Sequence, residues 1–184
     1  GIHAETSTGT IQPIAEFARL SHEAGALFMT DVVTSLAGCE LKFDEWELDF
    51  AYSGSQKCLA APPGISPVAI SDRALEYIRN RPNPPTSWYL DLSLIADYWG
   101  PDHIAHHTAP VSMIYGLREA VGMALNETLE VRWQRHEANA SALRAGLTAL
   151  GLELPISKEE RLDQLTVVKL PNGIDDVNLR TQLL

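Results

Sequence analysis

In "DFAYSGSQKCLAAPPG", residues 49–64, a single lysine, Lys57, follows a strand-like apolar run and sits among Ser, Gly and Ala before a Pro-Pro-Gly turn. A long cation in such a bed either reaches water or has room for something to be attached to its amine. Asp31 is the second such residue. It interrupts the apolar run "ALFMTDVV", residues 26–33, and a carboxylate in an apolar strand is expensive to bury without a cation or hydrogen-bond donors. Both residues fall near the carboxyl ends of strand-like segments, where parallel α/β sheets gather their ligands. The gap between them fits one crossover between neighbouring strands. A lysine and a carboxylate so placed can form a buried ion pair. They can also hold pyridoxal phosphate, whose aldehyde condenses with a lysine amine and whose ring nitrogen is kept protonated by a carboxylate. "HAETSTG", residues 3–9, adds the hydroxyls of Thr6, Ser7 and Thr8 ahead of Gly9. Hydroxyls can bond a phenolate oxygen or a phosphate, or simply cap a turn. His3 can stack on a flat ring or be structural.

These residues need a frame, and the periodicity supplies one. "PIAEFARLSHEA", residues 13–24, predicts a helix, with Pro13 at its first position and Ile14, Phe17, Ala18 and Ser21 on one face. Gly25 stands where it can cap the carboxyl end. The near-continuous apolar run 26–33 fits a parallel strand buried on both faces. "DFAYSG" (49–54) and "SPVAIS" (66–71) read as further strands, and "DRALEYIRNR" (72–81) as a helix with Asp72 as N-cap. Strands alternating with helices predict an α/β fold with a mainly parallel sheet. Residues 82–111, rich in Pro and aromatics, read as a long irregular loop of functional or interface use, packed by Trp88, Tyr89, Tyr98 and Trp99. Two helices follow, at 112–127 and 128–151. "QLTVVKL" (164–170) reads as a strand, and Asp175 or Asp176 as the cap of a last helix. The expected division is a large domain over 1–127, and a bridging helix with the start of a smaller α+β domain over 128–184.

Composition removes several classes. With 14 Lys and Arg against 24 Asp and Glu, the net charge is −10, and there is no basic run. Nucleic acid and anionic membranes need a positive field that this chain lacks. No stretch approaches the roughly 20 apolar residues of a membrane helix. Cys39 and Cys58, the only cysteines, fit no zinc pattern and read as reduced thiols. His106 and His107 are adjacent in an extended stretch and are expected to point opposite ways, which argues against a shared metal ion. The chain opens on "GIHAETSTG" and stops at "NLRTQLL", in what reads as mid-helix. A piece of a longer protein is expected, inactive by itself.

"HAETSTG", "TDVVTSLAG", "DFAYSGSQKCLAAPPG", "WYLDL" and "HHTAPVSMIYGLREA", in this order, resemble the central part of class V, fold-type I pyridoxal-phosphate aminotransferases, nearest the alanine–glyoxylate (serine–pyruvate) branch. The resemblance covers essentially the whole chain. It implies a ping-pong transamination using small amino acids and keto acids, in a homodimer. It further implies a cytoplasmic setting, or a peroxisomal or mitochondrial one in a eukaryote. Lys57 resembles the Schiff-base lysine and Asp31 the partner of the pyridine nitrogen. Thr6 takes the hydroxyl position beside the cofactor's O3, Gln56 matches a phosphate contact, and Thr108 matches one made across the dimer. Ala105 departs from the pattern, since relatives often carry a phosphate-binding Tyr there. The family's Ser-Gly phosphate loop, ring-stacking aromatic and substrate-carboxylate arginine have no counterpart here; Arg118 is expected to pair on a helix surface instead. Competing readings are ureidoglycine–glyoxylate or phosphonate-linked aminotransferases, a cysteine desulfurase, and a non-catalytic scaffold of the same fold. Desulfurases typically have His where this chain has Gln56.

Overall fold

A computed structural model describes residues 1–183. The antiparallel pair β1 (Ala4–Glu5) and β2 (Thr10–Ile11) opens the chain, and α1 (Ile14–Glu23) follows. The main sheet is formed by β3 (Met29–Asp31), β4 (Phe50–Tyr52) and β5 (Val68–Ile70) in that order. The remaining helices are α2 (Asp72–Arg79), α3 (Leu92–Trp99), α4 (Val111–Glu127), α5 (Leu129–Ala149) and α6 (Asp176–Leu183), with a single 3₁₀ turn at Lys158–Glu160. None of the helices described is long and apolar enough to cross a membrane.

β3 and β4 run parallel with Asp31 beside Tyr52, whereas β4 and β5 run antiparallel. The reversal follows from the connection. A parallel return needs a crossover, usually a helix, and residues 53–67 contain none. They turn back on themselves instead, with Ser53 N–H donating to Pro67 (2.9 Å) and Ser55 N–H to Ile65 (3.2 Å). Lys57 therefore rides on an excursion beyond the end of the sheet. The amino-terminal segment lies along the other edge of β3, with Ile2 bridging Asp31 in parallel. It is fixed by His3 N–H to the Asp31 carbonyl and Asp31 N–H to the Gly1 carbonyl, both 2.9 Å.

The core lies between α1 and the sheet. Ile14 and Ala18 pack on Phe28 and Leu48, with Leu41, Phe43 and Trp46 around them. Phe17, expected on the same face, is partly exposed. The run 26–33 is not buried on both faces. Phe28 and Thr30 are buried while Leu27 and Met29 are exposed, the alternation of a strand covered on one side.

Three local expectations are corrected. Ser71, not Asp72, caps α2, its hydroxyl accepting from the Ala74 N–H. The 82–111 segment is not loop throughout, because α3 lies within it, started by Asp91, whose carboxylate accepts from the Ser93 N–H at 2.9 Å. Residues 164–170 form no strand. Only Lys169 pairs, in an isolated bridge to Glu153, since a strand-like composition cannot make a ladder without a neighbour in register. The last helix starts as expected, with Asp175 accepting from the Asn178 N–H at 2.7 Å.

The carboxyl-terminal segment returns to the amino-terminal hairpin. Leu162 N–H donates to the Gly9 carbonyl at 3.1 Å, and Thr10 bridges Arg161. Gly9 has a left-handed backbone (φ +75), and a Cβ there would meet Val167 Cγ2 at 2.7 Å. Any other residue at position 9 would be both strained and too large.

Candidate active site

Asp31 ends β3 and is half-buried; its Oδ1 accepts from the Val33 N–H at 2.8 Å. Tyr52 is its neighbour across the sheet. The neighbouring Asp31 carboxylate, together with desolvation, raises the Tyr52 pKa. Tyr52 is a neighbour that sequence reasoning did not single out. It could have been found from strand register alone, had the pairing been known.

Lys57 is exposed, and no ion pair joins it to Asp31 or to any other carboxylate among the described residues. The buried ion pair allowed by the sequence is thus not what forms. The lysine loop is closed at its base, where the Ser55 hydroxyl donates to the Pro62 carbonyl (2.6 Å) and the Ala61 N–H to the Ser55 carbonyl (3.0 Å). It is tied sideways to the turn after β3 by the Cys58 thiol donating to the Thr34 carbonyl at 3.1 Å. The loops that follow Asp31 and precede β5 therefore touch. Both cysteines are free, and burial pushes the Cys39 thiol up to about 11 and raises that of Cys58. Neither is poised as a thiolate nucleophile.

Gln56, also exposed, folds its amide back over Gly54, where an added Cβ would meet its Oε1 at 2.6 Å. The Pro-Pro-Gly turn ends at Gly64, whose φ of +124 favours glycine, with Met113 of α4 against it. Thr6 sits in the turn between β1 and β2, beyond the same end of the sheet as Asp31 and Lys57. Its neighbours' hydroxyls are engaged, Ser7 with Glu5 (2.7 Å) and Thr8 with Thr10 (2.7 Å). Thr6 itself makes no side-chain hydrogen bond among the described residues. Thr108 is exposed on the approach to α4 and is not brought to the others within this chain.

One histidine expectation changes. His106 and His107 do not point apart: their Nδ1 atoms are 2.8 Å from each other, and His106 stacks on Trp88 with centroids 4.1 Å apart. No group of three metal-ligating side chains exists among the described residues. His3 takes the structural one of its two readings: it is buried edge-on to Trp46, with an unpartnered Nδ1. Arg118 forms no ion pair among the described residues, contrary to expectation, whereas Arg180 pairs with Asp176.

Burial lowers the His3 pKa from 6.5 to about 4. Below about pH 6.5 the unfolded chain binds a proton that the folded chain refuses until about pH 4. Stability should therefore fall on acidification through that window, by up to about 3 kcal/mol. Urea unfolding at pH 7 and pH 5 measures it. His3→Gln should flatten the slope, and an unchanged slope would show that His3 is not its source.

The donor set is an unpaired amine, a half-buried carboxylate, an unengaged hydroxyl and a free amide beyond one end of a sheet. That chemistry fits pyridoxal phosphate: the amine for its aldehyde, the carboxylate for its ring nitrogen, the hydroxyl and amide for its oxygens.

Comparison with known proteins agrees with this chemistry. The sequence matches the family described as Aminotransferase class-V over residues 2–182. It is 38% identical to a (S)-ureidoglycine–glyoxylate transaminase of Bacillus subtilis, over all of this chain and 48% of that protein. It is 41% identical to an alanine–glyoxylate aminotransferase of Callithrix jacchus, over 94% of this chain and 43% of that one. The crystal structure of an alanine–glyoxylate aminotransferase from Nostoc sp. superposes with a TM-score of 0.95 at 43% identity, covering 99% of this chain and 48% of that chain. The chain spans about half the length of the curated relatives it matches.

Proposed function

This chain belongs to the aminotransferase class-V family, and from that premise we propose that the intact protein is a pyridoxal 5'-phosphate-dependent transaminase that moves an amino group from alanine or serine to glyoxylate or pyruvate. The observation that carries this reading is the unpaired Lys57 amine on a loop tied to the turn that follows Asp31. Glyoxylate appears in the names of relatives from both Bacillus subtilis and Callithrix jacchus, which supports it as acceptor. The first of these names ureidoglycine as donor, and that remains the second reading.

Bound pyridoxal phosphate supplies an aldehyde for amine exchange and a ring that spreads the negative charge left when a proton leaves the substrate Cα. In this reading the Lys57 amine holds the cofactor between turnovers. Freed by an incoming amino acid, Lys57 Nζ would serve as the base that accepts and returns the proton of the substrate Cα. The Asp31 carboxylate holds a proton on the ring nitrogen. Thr6 binds the ring oxygen and Gln56 the phosphate, while Thr108 reaches the phosphate across a homodimer. A cytoplasmic setting is part of the same proposal.

The test is capture followed by a donor panel. Incubation of the intact protein with pyridoxal 5'-phosphate and reduction with borohydride should leave a mass tag on Lys57. In a separate, unreduced sample, turnover with glyoxylate should rank alanine and serine above ureidoglycine. A tag on another lysine, or none, would end the reading; ureidoglycine ranking first would transfer it to the second.

A further inference from the structure

We infer that Arg132, on α5, is a positioning residue for the lysine loop, acting on the residue next to Lys57. The inference rests on the proposed role of Lys57. Arg132 Nη2 donates to the Cys58 carbonyl at 2.5 Å across a sequence separation of 74 residues. Its side chain is 12% exposed, so this charge-assisted bond is sheltered from competing water. The other loop ties come from the loop itself and from the turn after β3. Among the described residues, Arg132 is the one that hydrogen-bonds it from the helical layer, whereas Met113 of α4 only packs against its Gly64.

The guanidinium is itself aimed. Nη1 donates to Glu127 Oε2 at 3.0 Å, and Glu127 is gripped on both oxygens by Arg135, at 2.5 and 2.9 Å. The Arg135 guanidinium, with Arg132 beside it, holds the Glu127 carboxyl down at about 2, so the aiming charge is present at any working pH. Thr128, the junction of α4 and α5, has φ +65, a left-handed conformation that non-glycine residues keep only where surroundings hold it. The loop carries a similar demand. Ala60 has φ +58 and donates its N–H to the Lys57 carbonyl at 2.8 Å. Arg132 pins the peptide between these two residues. Its Nε is buried without a partner among the described residues.

The test compares Arg132→Met, Arg132→Lys and Glu127→Gln with the wild type, all in the intact protein. In the cofactor-free state, Arg132→Met should speed hydrogen exchange at the loop amides of residues 56–61 about tenfold, the scale of one charge-assisted hydrogen bond. Exchange in β3 should not change. Covalent attachment of added pyridoxal 5'-phosphate to Lys57, trapped by borohydride, should slow several-fold. With cofactor bound, kcat should fall while KM holds. Arg132→Lys, retaining one donor charge, should recover part of each effect. Glu127→Gln, which leaves Arg132 in place but weakens its aim, should show a smaller change in the same direction. Loop exchange unchanged in Arg132→Met, or accelerated evenly across the chain, overturns the inference. If the wild type captures no cofactor, the transaminase reading fails, yet the exchange result still decides whether Arg132 holds the loop.

Discussion

Replacing Lys57 by alanine in the intact protein should lower transaminase turnover by about 10⁴-fold or more while leaving the fold intact. In the proposed role, two functions would be lost together: the amine that anchors the cofactor and the base that moves the Cα proton. Positioned proton transfer alone is worth about 10²–10⁴, and loss of the covalent anchor adds to it. The structural consequence is small, because Lys57 is exposed and forms no ion pair among the described residues. Surface substitutions of that kind change stability by about 0.5 kcal/mol or less. The measurement is single-turnover conversion of alanine and glyoxylate, with unfolding monitored in parallel. Low activity with unchanged unfolding supports the assignment. A variant that turns over within tenfold of wild type removes Lys57 from the chemistry.

Legibility of the fold tracked how local each signal was. α4 and α5 were readable because no proline interrupts them, and they end at Thr128 and just before Gly151. The strands at 49–54 and 66–71 were found, but not the sense of the second. Direction depends on what fills residues 53–67, and a helix-free excursion forces the return. α3 was hidden in Pro and aromatic composition, although Asp91 followed by Leu92 and Ser93 was a usable start signal. The segment 164–170 failed for the opposite reason: it has the residues of a strand and no partner ladder.

The site divides along the same line. Lys57, Asp31, Thr6 and Gln56 lie in contiguous motifs, so their types and order could be read directly. What holds them could not. The Cys58 tie to Thr34, the Tyr52 contact with Asp31 and the Arg132 reach to Cys58 join residues with no common motif. The first and third end on backbone carbonyls, which carry no side-chain signature at all.

Asp49→Ala should destabilise the sheet region by about 1–3 kcal/mol, without touching the chemical groups. Asp49 is 1% exposed, yet it gathers four partners. Its Oδ2 accepts from the Phe28 N–H at 2.7 Å and meets His22 Nε2 at 3.0 Å; its Oδ1 accepts from the Ser71 hydroxyl at 3.0 Å and from Arg73 Nε at 2.9 Å. One carboxylate therefore joins α1, β3, β4 and the start of α2. Removing it leaves the buried Phe28 N–H without an acceptor, whereas the half-exposed Arg73 guanidinium can turn to water. Burial alone would raise the Asp49 pKa, but the bonds from Phe28, Arg73, His22 and Ser71 outweigh it and hold the value below 3.8. The sign follows. The contribution is complete above about pH 3.8 and is lost as pH falls below that toward the depressed folded value. His3 acts in a different window, between about 6.5 and 4. Urea unfolding across pH 2.5–8 should thus show two acid limbs: His3→Gln should flatten the upper, and Asp49→Ala the lower, with the whole curve shifted down. If Asp49→Ala keeps both its urea midpoint and its lower limb, the carboxylate is not the knot that these contacts describe.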